Sequence, residues 1–358
     1  MFYREAGQFK STYIGDQELF PVKQDRWGIF VIIGISFIIV PLIANDYWLQ
    51  AILIPFLIFS LSALGLNLLT GYAGQLSLGT GGFMAVGAYS CYKLVTYLPE
   101  TNVIVLILIS GFFSAGIGII FGIPSLRIKG FYLAVATLAA QFFFEWLFGR
   151  VQWFYNYNDS GAIEVPVRKF FNIIVTGPTA TTQARYMVVL CIVTVLALVA
   201  VNLVRGRIGR AWMAIRDMDI AAELIGIRPL TTKLIAFAIS SYYAGVAGAL
   251  FVFTYLGSAE VEVFDINMSF EILFMVIIGG LGSISGAFLG AAFIVLIPIL
   301  ITNLPRILGI PINSATVEHF NFMILGALIV LFLIFEPHGL AKIWSIVREK
   351  LRAWPFPY

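Results

Sequence analysis

The sequence predicts an all-α, polytopic membrane protein with about eight to ten transmembrane helices, some of them broken or re-entrant at glycine-rich segments. Three observations carry that expectation. Of 358 residues, 60% are hydrophobic and 11% charged, against about a quarter charged in soluble domains. Apolar runs long enough to span follow one another with short connections, a bilayer core of about 30 Å needing roughly 20 such residues per helix. Glycine interrupts two of these runs, in polar company.

Taken in order, the spans are expected at 27–44, 48–69, 76–96, 102–123, 130–149, 186–204, 233–256, 268–282, 286–304 and 318–336. The third and eighth are the glycine-interrupted ones. If the amino terminus is cytoplasmic, the inner segments hold sixteen of the 22 Lys and Arg residues. The outer ones hold six: Lys93, Arg150, Arg168, Lys169, Arg185 and Arg306. That bias follows the positive-inside rule and sets both termini in the cytoplasm. The chain then divides into an N-terminal cytoplasmic segment 1–26, a transmembrane domain 27–336 and a cytoplasmic tail 337–358. Within the domain lie a long outer loop, 150–185, and a cytoplasmic loop, 205–232. The outer loop is rich in aromatics, which argues against disorder and leaves interfacial anchoring or docking of a soluble partner.

The same composition excludes several classes. A net charge of +3, spread along the chain, gives no nucleic-acid footprint. Residues 1–26 lack the apolar core of a secretory signal. Cys91 and Cys191 sit in apolar runs without CxxC spacing, as packing thiols do. His319 and His338 belong to no metal-binding pattern, and no metal site or catalytic residue is expected.

The stretch "GYAGQLSLGTGGFMAVGAY" (71–89) holds six glycines. Small residues let helices approach closely in lipid, and three stripes have the required spacing: Ser77, Gly81, Ala85; Ser114, Gly118, Gly122; and Gly282, Gly286, Gly290. Packing alone does not account for the polar neighbours. Asn67, Thr70, Gln75, Ser77 and Thr80 surround the first cluster; Asn267, Ser269, Glu271, Ser283 and Ser285 surround the second. Irregular backbone at membrane depth belongs where protein or a water-filled cavity satisfies it, and broken helices aim amide ends at anionic groups. A pathway between the two segments is therefore expected. Its first side holds Asn67, Gly74, Gln75, Ser77, Gly79, Thr80 and Gly82; its second holds Glu271, Gly279, Gly280, Gly282 and Ser283. Glu145 and Glu271 are the charges within apolar runs, while Lys93 and Glu336 lie at span ends, where snorkelling is cheap. The chain of paired intramembrane charges that ion-coupled pumps carry is missing from this sequence. Its energy source is expected elsewhere.

In "RGRIGRAWMAIRDMDIAAELIGIRPLTTKL" (205–234), one amphipathic helix is expected from Ala211 to Ile225, stopped by Gly226 and Pro229. Its wheel puts Arg216, Asp219 and Glu223 on one side, and Trp212, Ile215, Ala222 and Ile225 on the other. Arg205, Arg207 and Arg210 can grip anionic headgroups. Pattern alone leaves two readings open: a helix lying in the headgroups or one seated in a partner's groove.

Four stretches then resemble one family: "GLNLLTGYAGQLSLG" (65–79), "GRAWMAIRDMDIAAELIGI" (209–227), "KLIAFAISSYYAGVAGAL" (233–250) and "EILFMVIIGGLGSISGAFLGA" (271–291). They are similar to the membrane subunits of ABC importers for branched-chain amino acids, the high-affinity branched-chain amino acid permeases, which include close relatives for urea and short amides. The resemblance implies that the cytoplasmic loop docks in a cleft of an ATPase through an Ala-Ala pair followed by Gly, here Ala221, Ala222 and Gly226. The usual opening glutamate is replaced by Ile220, with acids at Asp219 and Glu223. Many relatives have His after "LSLG", where this chain has Thr80. No G-x-x-x-x-G-K-[ST] phosphate loop occurs in the chain, so ATP is expected on partner subunits and no cofactor here. The implied partners are two ABC ATPase subunits, a homologous second permease and a periplasmic solute-binding protein, in a bacterial inner membrane. A stand-alone secondary transporter would explain the broken helices and leave the cytoplasmic loop unexplained, and a membrane-embedded enzyme has no visible nucleophile–base pair.

Overall fold

The computed structural model describes residues 11–12, 23–126, 132–170, 173–307, 323–324, 326–328, 330–332, 334 and 339–353. The expected last span is covered only in part, and His319, Glu336 and His338 lie outside the described residues. Among those residues seven helices are long and apolar enough to cross a membrane. They are α1 (Arg26–Ile43), α2 (Trp48–Tyr72), α4 (Val103–Leu126), α5 (Tyr132–Arg150), α6 (Thr182–Arg205), α9 (Pro229–Leu256) and the first part of α11 (Ile284–Ile307). The two interrupted runs fold as shorter helices, α3 (Thr80–Tyr97) and α10 (Ile266–Gly279). Residues 73–79 ahead of α3 form no helix.

At 14 residues, α10 is about 21 Å long and falls short of a bilayer core. Ser77 and Gly282 consequently belong to irregular segments and not to helical stripes, which corrects two of the three expected packing faces. The third holds. Ser114 lies against Gly245, Gly118 against Ser241 and Gly122 against Phe237, joining α4 to α9. α9 forms the centre of the bundle, with α2, α3 and α4 packed on it. Backbones touch where any side chain would collide, as Gly87 does on the Gly245 carbonyl, Gly248 on that of Met84, Gly279 on that of Gly286 and Gly290 on that of Met275. Rings fill the remaining space, Phe83 meeting Phe144 and Phe237 edge-on at 5.7 and 5.5 Å. By contrast α1 lies on the rim, none of its membrane-length window buried, held to α6 where Tyr186 Oη donates to the Ser36 carbonyl at 3.1 Å.

One end of the bundle carries the little β-structure described. A hairpin joins β2 (Arg168–Phe170) to β3 (Ile173–Thr176), and β1 (Ile163–Glu164) pairs antiparallel with β4 (Ser258–Ala259). The aromatic loop is thus tied to the 257–265 connection. Lys93 does not snorkel here. Its side chain is buried under the loop, 4.2 Å from the Trp153 ring, and donates to Asn156 Oδ1. Of the two thiols Cys91 is buried and Cys191 exposed on the surface of α6.

At the opposite end, the single helix expected over 211–225 is two. α7 (Arg207–Asp217) and α8 (Asp219–Leu224) are separated by Met218 in an extended conformation. Gly226, at φ +90°, ends the second as expected. A further amphipathic helix, α12 (Leu340–Ala353), begins beside the same end, Gly339 wedged against Gly280.

Candidate functional site

Two polar junctions occupy the places where helices break. The first surrounds the start of α3. Gly81 N–H donates to Ser269 Oγ at 2.8 Å and Gly82 N–H to Gln141 Oε1 at 2.5 Å. Ser269 Oγ donates in turn to Gln141 Oε1 at 3.0 Å. The Gln141 amide nitrogen serves the Phe264 carbonyl at 2.5 Å and Glu145 Oε1 at 2.8 Å. Thr137 Oγ1 accepts from Leu78 N–H at 2.9 Å, and Gly79 packs on the Thr137 carbonyl. Asp265 caps α10, accepting from Met268 N–H at 3.0 Å. Amide groups expected to face an anionic ligand are therefore taken by the chain's own side chains: Ser269 and Gln141 cap α3, and Asp265 caps α10. Thr80 is buried in this junction's helix start. Glu271 is half-buried two residues past Ser269, which puts it about 12 Å along α10 from Gly279 and away from the second glycine cluster.

The second junction joins the end of α2 to the turn between α10 and α11. Asn67 closes it with both ends of its amide: Nδ2 donates to the Ser283 carbonyl at 2.6 Å, and Oδ1 accepts from Gly282 N–H at 2.9 Å. Leu68–Tyr72 widens into a π-helical turn, as Ile35–Ile39, Trp48–Leu53 and Phe251–Leu256 also do. Gly282 has φ +74°, a conformation that costs glycine nothing, and Ser283 Oγ accepts from Gly286 N–H at 3.1 Å to start α11. Gly74, at φ +67°, lies against the stem of Arg216. Arg216 Nη1 donates to the Gly71 carbonyl at 2.9 Å. Gln75 is buried nearby in sequence, both side-chain polar atoms lacking a protein partner among the described residues, and Ser77 is buried as well.

The structure thus brings Asn67, Gly282 and Ser283 together, with Gly279 and Gly280 at the adjoining helix end. Gly79 and Gly82 go to the other junction. Sequence reading missed Gln141 and Thr137 as connectors, and it set Ser269 beside the second glycine cluster, whereas Ser269 serves the first. Gln141 carried a signal too, a large amide in an otherwise apolar stretch.

The loop helices sort differently from the expected wheel. Trp212 and Ile215 of α7 and Ala222 of α8 are buried, and Trp212 Nε1 donates to the Thr232 carbonyl at 3.2 Å. Ile225, expected beside them, is 75% exposed, and Leu224 is 84% exposed. The break at Met218 turns α8 relative to α7, so a continuous wheel does not hold across it. Met218 and Ile220 are exposed on the same segment, as are Ala221, Glu223 and Arg210. Lys233 fixes α8 to the start of α9 through Asp219 at 2.8 Å.

Residues 48–333 match the family described as the branched-chain amino acid transport system permease component. The chain belongs to that family. Two relatives are the high-affinity branched-chain amino acid transport system permease proteins LivM of Salmonella typhimurium and of Escherichia coli. Each is 29% identical over 310 residues, covering 79% of this chain and 68% of the relative. No solved structure matches the chain. Both glycine-rich junctions and the α7–α8 loop fall inside the matched region. The protein is a multi-pass membrane permease subunit of the ABC importer type.

Proposed function

We propose that this permease forms one half of the pathway by which an ABC importer carries branched-chain amino acids across a bacterial inner membrane, driven by ATP hydrolysed on separate subunits. One observation carries the reading: α8 and the residues flanking it present Met218, Ile220, Leu224 and Ile225 outward, while Trp212, Ile215 and Ala222 hold the loop to its own bundle. An apolar edge on a short helix at the bundle end fits a groove in a partner. The ATPase takes that edge; Ala222 itself is enclosed by this chain. The basic bias around the same loop supports a cytoplasmic position, with both termini on that side. The strand-bearing end, 151–181 and 257–265, then faces outward toward a solute-binding protein. A homologous second permease completes the pathway, and catalysis resides on the partner chains.

The solute route runs along the second junction. Gln75 supports this, since a buried amide without a partner among the described residues calls for water or ligand. Asn67, Gly74 and the turn Gly280–Ser283 flank that route. Closure of the ATPase pair moves α7 and α8, and the junction opens or shuts with them.

Purification with the ATPase, second permease and binding protein, followed by solute-stimulated ATP hydrolysis, tests the reading. Leucine, isoleucine or valine is expected to stimulate hydrolysis, with urea, short amides and acidic or aromatic amino acids inert. Stimulation by urea or an amide alone would overturn the assignment of solute. No stimulation by any solute in an intact complex would overturn the pathway.

A further inference from the structure

We infer that Arg216 is the positioning residue that transmits movement of the α7–α8 loop to the pathway, and that its side chain does not belong to the ATPase-facing edge. The inference rests on the reading that an ATPase drives this loop. Its geometry is direct. Arg216 is the penultimate residue of α7, and from there its guanidinium reaches the Gly71 carbonyl at 2.9 Å, in the π-helical turn that ends α2. Its Nε meanwhile donates to Asp217 Oδ1 at 3.0 Å, so the planar head is held at two edges.

What lies beside that contact gives it leverage. Gly71 itself packs on Gly282, and Asn67 on the preceding turn of α2 clamps Gly282 and Ser283. Arg216 therefore holds the carbonyl of a residue that touches the α10–α11 turn. The arginine also passes two glycines at positive φ. A methyl group on Gly74 would stand 2.9 Å from Arg216 Cγ, and one on Gly282 would stand 3.4 Å from Nη1. Both glycines leave room for the arginine as well as shaping their turns. Trp212, one turn earlier on α7, and Ile215, the preceding residue, are buried, so the helix base is anchored and displacement of α8 at the Met218 break is felt first at Arg216. Met218 is also where the regular helix stops, and an extended residue between two short helices is a natural hinge.

The test uses the assembled transporter in proteoliposomes and reads solute imported per ATP hydrolysed. In Arg216→Met the complex is expected to assemble and hydrolyse ATP, while uptake per ATP falls roughly tenfold or more, the scale of a charged hydrogen bond expressed as an equilibrium constant. Arg216→Lys, which restores a charged donor, is expected to recover part of that ratio. Normal uptake per ATP in Arg216→Met would overturn the inference. Should that variant fail to assemble, Arg216→Gln decides. It keeps a neutral amide donor of shorter reach, and it is expected to lower the same ratio, whereas an unchanged ratio would overturn the proposal. Leu224→Asp separates this inference from the docking reading beneath it. Loss of ATPase binding in that variant supports docking, and intact binding would remove the driving partner whatever Arg216 does.

Discussion

The two polar junctions look alike in composition and are built to different ends. At the first, Gln141, Ser269 and Thr137 from α5 and α10 close over the start of α3, and the contacts are mostly buried and linked to one another through Gln141. At the second, one residue, Asn67, holds the turn, and the loop helices reach in through Arg216. On the function proposed above, the first is a fixed brace and the second is the one reached by force from the bundle end. Glycine-rich, polar sequence in a membrane helix therefore marks a break, and the origin of its capping groups decides whether the break is fixed or driven.

That contrast is broken most strongly at Gln141. Gln141→Leu removes one side chain that serves Gly82, Ser269, Glu145 and Phe264, and each buried group left unpaired costs about 1–3 kcal/mol. A large fall in thermal stability in detergent is expected, and an unchanged melting temperature would remove the brace. Next is Leu224→Asp on the exposed edge of α8. It is expected to leave the purified chain as stable as before and to weaken ATPase binding at least tenfold, because burying an unpaired carboxylate in an apolar groove costs several kcal/mol; pull-down at graded ATPase concentration measures it. Asn67→Ala comes third. It strips the Gly282 and Ser283 partners, and if the second junction is the moving one, transport should fall severalfold while stability falls by only about 1–2 kcal/mol, seen as a small shift in melting temperature. A shift as large as that of Gln141→Leu would erase the distinction between the junctions. The smallest effect belongs to Lys93→Met, which removes the contacts to Asn156 and Trp153 and is expected to cost about 1 kcal/mol, seen as faster proteolysis of the 151–181 loop with uptake largely retained.

Much of this architecture was legible in the sequence because its signals are compositional. Apolar runs placed every described span to within a few residues, and the polar neighbours of Gly74–Gly82 and Gly279–Gly286 marked both breaks. What stayed hidden depends on tertiary contact. Met is a good helix former, so nothing local announces the stop at Met218; the break arises where Trp212 and Ile215 seat α7 while the Asp219–Lys233 pair turns α8 toward α9. The wheel drawn through that break misplaced Ile225 for the same reason. Arg216 read as a polar-face residue, since periodicity cannot reveal that Gly71 and Gly74 lie within its reach. Gln141 and Ser269 belong to no motif, and only the adjacency of the α3 and α10 starts explains them.

The central claim is that this permease does no work alone and moves because a nucleotide-hydrolysing partner pushes its α7–α8 loop. Uptake of radiolabelled leucine into proteoliposomes tests it most directly, comparing the permease pair alone with the full complex supplied with binding protein and ATP. Accumulation against the gradient is predicted in the full complex only. Concentrative uptake by the permeases without the ATPase would contradict the account.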